Sequence, residues 1–183
     1  MSGDPVQQLA DLFAGPGAGD YLGEAVSMAQ HMCQAGTLAQ AAGASDELVA
    51  AALLHDVGHF RGTVTGQDLM AGRDNHHSDT GAAWLSRWFP PGVTEPVRLH
   101  VAAKRYLCAV DPAYAAQLSP ASAYTLEVQG GPMDSEQVRA FEAEPFHAGA
   151  VVVRRWDDAA KDPDADTLGF ESFRPLLERL VVG

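Results

Sequence analysis

Leu54-His55-Asp56-Val57-Gly58-His59-Phe60 closes an apolar, Ala-rich run, and the reading of this stretch decides the fold. Adjacent His55 and Asp56 offer a neutral imidazole nitrogen and a carboxylate oxygen from neighbouring backbone positions, a pairing suited to a divalent or trivalent metal. If residues 50–59 are a helix, His59 lies one turn beyond His55 on the same face, adding an imidazole beside the two ligands. The competing reading is a plain helix end, with Gly58 as its cap. The rest of the chain separates the two.

Ser45, followed by Asp46 and Glu47, marks the start of the helix that ends in the HD pair. Toward the N-terminus, Pro5 to Phe13 reads as a short amphipathic helix stopped by Gly15-Pro16-Gly17. Asp20 is a plausible cap for a helix from Tyr21 to about Gln34, and Leu38 to Ala42 is a further helical turn. Beyond the HD pair, residues 61–75 read as a polar loop, and helices follow over His77–Trp88 and Val93–Ala103. Short pieces fill the chain from Tyr106 to Pro132. Asp134 or Ser135 then caps a helix through Phe141, and two more run from about Pro145 to Lys161 and from about Phe170 to Leu180. The one β-branched run of three, Val151-Val152-Val153, sits between helical neighbours. The expectation is an all-α fold in a single domain over residues 1–183.

Composition narrows the function. A hydrophobic content of 46% with 20% charged residues is that of a globular protein, and no apolar stretch is long enough for a membrane span. The start, MSGDPVQQLADLF, lacks the basic and apolar regions of a signal peptide, so the expected location is the cytoplasm. A net charge of −12 argues against nucleic acid as a partner but leaves room for a small anion in a locally cationic pocket. Cys33 and Cys108 are isolated and read as reduced thiols.

The other candidate ligands fall on separate helices, as expected when a helical bundle points ligands inward. His31 precedes the HD pair; His76 and His77 open the next helix, His100 lies on the one after, and Asp157 and Asp158 on the penultimate one. Four His and two Asp exceed what one metal takes while keeping a position open for chemistry, whereas six ligands with one bridging carboxylate fit two metals. Imidazole with carboxylate suits iron, manganese or zinc rather than calcium.

This pattern resembles the HD-domain superfamily of helical bundles, and its accessory residues resemble the mixed-valent diiron oxygenases that cleave the C–P bond of 1-hydroxy-2-aminoethylphosphonate or its N-methylated relatives. The resemblance implies two iron ions, Fe(II) and Fe(III), dioxygen as co-substrate, and ligands His31, His55, Asp56, His77, His100 and Asp157, with Asp56 bridging. His77 is preferred to His76 because His77-Ser78-Asp79-Thr80-Gly81-Ala82 matches the family's H-x-x-x-G-A. Asp157 is preferred to Asp158 because Asp157 to Lys161 repeats a D-x-x-x-K spacing. Tyr21 and Glu24 match a Tyr-x-x-Glu, implying a Tyr that guards an iron until substrate enters and a Glu that meets the substrate's ammonium. On a continuous helix Glu24 would lie two turns before His31 on nearly the same face.

A phosphonate also needs cations and donors. Lys104 is four residues from His100, and Arg154 three before Asp157, so each projects beside a ligand. The segment Ser122 to Met133 resembles the family's hydroxyl- and amide-bearing loop, implying Ser122, Thr125 and Gln129 as donors, with His59 beside them. Products would be glycine, or an N-methylated glycine, and phosphate. The alternative is a metal-dependent phosphohydrolase acting on a nucleotide or phosphomonoester, which needs neither Tyr21 nor Glu24. An inositol-cleaving diiron oxygenase would leave Arg154 without a partner.

Overall fold

The computed structural model describes residues 3–19, 24–60 and 76–182. Ten α-helices and two short 3₁₀ turns make up its regular structure, with no strand among the described residues. The expected loop over residues 61–75, and the Asp20 cap with Tyr21, lie outside the described residues.

The helix before the HD pair is the centre of the fold. This is α3, Asp46–Leu54, and α1 and α2 before it span Pro5–Ala14 and Met28–Ala41. Ser45 caps α3 and accepts from the Leu48 amide at 3.4 Å, and Asp46 and Glu47 sit in the first turn, where the helix dipole favours acids. Residues Val49 to Leu54 are all buried. A helix apolar all round belongs in the interior, and three consecutive Ala side chains let neighbours close in on every side. α2 is among them. Gly36 makes the approach possible, because a Cβ there would lie 3.2 Å from both Leu53 Cβ and Phe173 Cζ.

After α3 a 3₁₀ turn spans Val57–Phe60, and α4 to α7 cover His77–Leu85, Pro91–Val110, Pro112–Ala115 and Pro120–Val128. α8 is Ser135–Glu142, α9 His147–Ala159 and α10 Phe170–Leu180. α2, α5, α9 and α10 pack around α3, while α4 packs on α5.

Several boundaries differ from the sequence reading. α2 begins at Met28, not near Tyr21, because Ser27 and Gln30 form a reciprocal capping box: Gln30 N to Ser27 Oγ is 3.1 Å and Ser27 N to Gln30 Oε1 is 2.9 Å. It then runs on through Ala41, absorbing the separate turn expected there. Glu24 therefore precedes the helix, and the same-face argument for it does not hold. α5 extends to Val110, where Asp111 turns extended ahead of Pro112, as residues before proline do. The segment expected as a loop from Ser122 is largely α7, which places Ser122 and Thr125 one turn apart.

Candidate metal centre

The HD pair lies just beyond the end of α3. His55 keeps helical angles as the C-cap, and the chain then tightens into the 3₁₀ turn, with His59 N donating to Asp56 O at 3.0 Å. Residues 50–59 are thus not one continuous helix, and Gly58 does not serve as a helix cap. A Cβ on Gly58 would stand 1.9 Å from the His77 carbonyl oxygen and 2.9 Å from the Gly81 amide nitrogen. Its bare α-carbon lets the HD turn lie directly on the first turn of α4, which delivers His77 to Asp56.

Two groups of donors then form around one carboxylate. On one side His31 Nε2 and His55 Nε2 are 3.0 Å apart, and Asp157 Oδ1 lies 3.3 Å from the first and 3.8 Å from the second. Asp56 turns its Oδ2 to them, 3.7 Å from His31 Nε2 and 3.5 Å from His55 Nε2. On the other side Asp56 Oδ1 meets His77 Nε2 at 3.3 Å, His100 Nε2 at 3.4 Å and His59 Nε2 at 3.8 Å. His77 and His100 Nε2 are themselves 3.2 Å apart. His59 stacks on His77, with centroids 4.1 Å apart. His31, His55 and Asp157 on one side, and Asp56, His59 and His77 on the other, each bring their ligand atoms within 4.8 Å of one another, a spacing that could hold a metal ion.

The orientation of the rings fits a cation at each. His31 Nδ1 faces the Ala160 carbonyl at 2.9 Å, His55 Nδ1 that of Ala52 at 2.7 Å, and His100 Nδ1 that of Val97 at 2.7 Å. A carbonyl only accepts, so each Nδ1 donates to it and Nε2 is left as the nitrogen turned inward toward the carboxylates. Burial alone would lower the His55 imidazole, but Asp56 and Asp157 outweigh it and carry it up to about 9. Burial would raise both carboxyls, yet His55 pulls Asp56, and Arg154 followed by His55 pulls Asp157, well below the usual carboxylate range. His77 is pushed down to about 3, by burial first and His59 second, and so stays neutral.

Beside this centre lies a cationic side. Lys104 is 2% exposed and donates to Thr125 Oγ1 at 2.9 Å; burial, reinforced by Arg154, lowers it to about 7. Arg154 is also buried and is heavily engaged: Nη1 donates to Asp157 Oδ2 at 2.6 Å, Nη2 to Asp158 Oδ1, and Nε to Asp158 Oδ2 and to the Tyr114 hydroxyl, each at 3.0 Å. The guanidinium that the sequence offered as a phosphonate donor is thus occupied in holding Asp157. Its remaining reach toward the donors is Nη2 to Ser122 Oγ at 3.5 Å. Asp157 faces the His pair while Asp158 faces Arg154 and Tyr114, and His76 is exposed in a left-handed conformation with φ 46°.

Glu24 arrives from the segment before α2. Its Oε1 accepts from Ser119 Oγ at 2.7 Å and from Lys161 Nζ at 2.9 Å. Gln129 closes α7, and its Oε1 is buried without a hydrogen-bond partner. Tyr21 lies outside the described residues. Sequence reading missed Lys161, Ser119 and Tyr114 as members of this neighbourhood. Lys161 carried a signal, the D-x-x-x-K spacing, but that spacing served only to choose between two Asp. Ser119 is also the N-cap of α7, since its Oγ accepts from Ser122 N at 3.2 Å.

Comparison with known proteins agrees with this geometry. Over 179 residues the chain is 42% identical to the 1-hydroxy-2-(trimethylamino)ethylphosphonate dioxygenase (glycine-betaine-forming) of Leisingera caerulea, covering 98% of this chain and 91% of that enzyme. It is 43% identical over 160 residues to the hydroxymethylphosphonate dioxygenase of Gimesia maris, 87% of this chain and 79% of the relative. An uncharacterised protein of Acanthamoeba polyphaga mimivirus is 32% identical over 176 residues, 94% of this chain and 80% of the relative. Residues 28–160, from the start of α2 to the carbonyl that orients His31, match the HD domain. The chain belongs to the HD-domain family and, within it, to the oxygenases that include these phosphonate dioxygenases.

Proposed function

We propose that this protein is a diiron oxygenase that cleaves the C–P bond of a 1-hydroxy-2-aminoethylphosphonate-type substrate, its amine free or N-methylated, with dioxygen. The observation that carries the reading is Asp56, whose two oxygens face two separate His clusters, one of them completed by Asp157. His31, His55, Asp157 and Asp56 Oδ2 would hold one iron; His77, His100 and Asp56 Oδ1 the other. Two irons so placed supply one-electron chemistry with dioxygen.

The chain's own residues bind and place the substrate. Lys104 offers a buried ammonium beside Thr125, and together with Ser122 and His59 it meets the phosphonate oxygens. Arg154 acts on the same anion through space and on Asp157 by direct contact. Glu24 marks the end of the site where a substrate's ammonium would lie, and Gln129 and Tyr21 remain candidate contacts. Substrate plus one dioxygen has the same atoms as glycine plus phosphoric acid, or as the N-methylated glycine for a methylated substrate. The C1–H and C1–P bonds are lost, and no external reductant is required. The same reading makes the protein one HD domain acting in the cytoplasm on a small molecule, and the net charge of −12 supports the absence of a nucleic-acid partner.

The test is anaerobic loading with iron, partial oxidation, and electron paramagnetic resonance with and without 1-hydroxy-2-aminoethylphosphonate, followed by a phosphate assay on admitting oxygen. The expected result is a coupled diiron signal that changes with substrate and phosphate release that requires oxygen. Absence of such a signal, with oxygen-independent phosphate release from nucleotides, would replace the oxygenase by a phosphohydrolase.

A further inference from the structure

Glu24 and Lys161 meet with little water around either. Their side chains are 10% and 13% exposed, and Nζ lies 2.9 Å from Oε1. Lys161 Nζ also donates to Ser122 Oγ at 2.9 Å, the same oxygen that Arg154 Nη2 approaches at 3.5 Å. Lys161 therefore stands on the border between a lone carboxylate and the cationic side of the site. Its backbone is held on both flanks: the Ala160 carbonyl accepts from His31 Nδ1, and the Asp162 amide donates to Gln34 Oε1 at 3.0 Å.

A carboxylate with few waters depends on what touches it, and Glu24 already has a cation. We infer that Lys161 is a specificity-determining residue, which sets the preference of the site between cation-bearing and cation-free phosphonates by occupying the Glu24 carboxylate. This rests on the phosphonate reading above. A substrate's ammonium must share Glu24 with a like charge, which costs binding. A phosphonate without an amine leaves the Glu24–Lys161 pair intact. With Lys161 neutralised, the ammonium gains an unopposed partner, whereas the cation-free dianion meets an unpaired carboxylate. Whatever Lys161 contributes to the phosphonate itself is common to both ligands and divides out of the ratio of their Kd values.

Calorimetry under nitrogen on the chain loaded with ferrous iron tests this with hydroxymethylphosphonate and 1-hydroxy-2-aminoethylphosphonate as ligands. In Lys161→Met the ratio of the first Kd to the second is expected to rise about tenfold, the worth of one charge-assisted contact. Lys161→Arg, which keeps the charge, should stay within about twofold of the wild type, and Lys161→Gln, which keeps a donor to Ser122, should repeat the rise if Met disturbs packing. In a Glu24→Gln background the Lys161→Met change should leave the ratio unaltered, since the effect runs through that carboxylate. Equal weakening of both ligands in Lys161→Met and Lys161→Gln, or no change in either, would overturn the inference. Failure of the wild type to bind either phosphonate would overturn the phosphonate reading itself, and this inference with it.

Discussion

Gln34 holds both polar groups of the Asp162 backbone: its Nε2 donates to the Asp162 carbonyl at 2.9 Å, and its Oε1 accepts from the Asp162 amide at 3.0 Å. Gln34 lies three residues after His31 on α2, and Ala160, two residues before Asp162, orients His31 through Nδ1. The helix that carries the ligand and the segment that aims it are thus tied twice. Gln34→Leu breaks one tie and leaves two backbone groups unpaired. The expected loss is about 2 kcal/mol in denaturant unfolding and about tenfold or more in metal affinity by chelator competition. Reduced stability with unchanged metal affinity would show that the clamp serves the fold alone.

Asp56 is expected to decide both metal positions at once. Metal analysis after dialysis should find close to none in Asp56→Ala, while His100→Ala should keep the ion held by His31, His55 and Asp157. Retention of one tightly held ion in Asp56→Ala would contradict a shared carboxylate.

Lys104 gives a pH dependence of known sign. Burial and Arg154 bring it from 10.5 to about 7 in the folded chain. Between these values the unfolded chain holds a proton that the folded chain lacks, so this residue makes stability rise with pH across that window. Its penalty is full below about pH 7 and gone above 10.5. Lys104→Met should therefore stabilise the fold at pH 6, by up to about 4 kcal/mol, and much less at pH 9.5. Urea unfolding at the two values checks this. A bound dianion favours the charged Lys104, so phosphonate binding at pH 8 should take up a proton in the wild type and not in the variant, as calorimetry in two buffers would read.

Gly58→Ala places a methyl group where the His77 carbonyl already stands. α4 must move away, taking His77 from Asp56. The expected result is a destabilisation of about 2–4 kcal/mol with loss of the second metal, whereas Gly43→Ala, at an open position with positive φ, should cost about 1 kcal/mol and leave metal content alone.

The helical class and the ordered series of ligands were legible because they are written locally. Helix periodicity shows in any window of a dozen residues, and buried His or Asp stand out within an Ala-rich run such as residues 50–56. The surroundings of Glu24 were not legible, since its partners lie 95 and 137 positions away in sequence. The i−3 spacing of Arg154 told how far it reaches, and Asp158 at i+4 lay within the same local reach, but that Tyr114 would engage it is set by the packing of α6 against α9's neighbour α5 and is invisible to spacing. The start of α2 was misjudged because Asp20 and Ser27 both look like caps, and only the reciprocal bond with Gln30 separates them.

Because the two oxygens of Asp56 face separate histidine clusters, a single side chain on the turn after α3 links both halves of the centre. A displacement of that turn is felt by α2 and α9 on one side and by α4 and α5 on the other at the same moment, so the halves cannot be retuned independently.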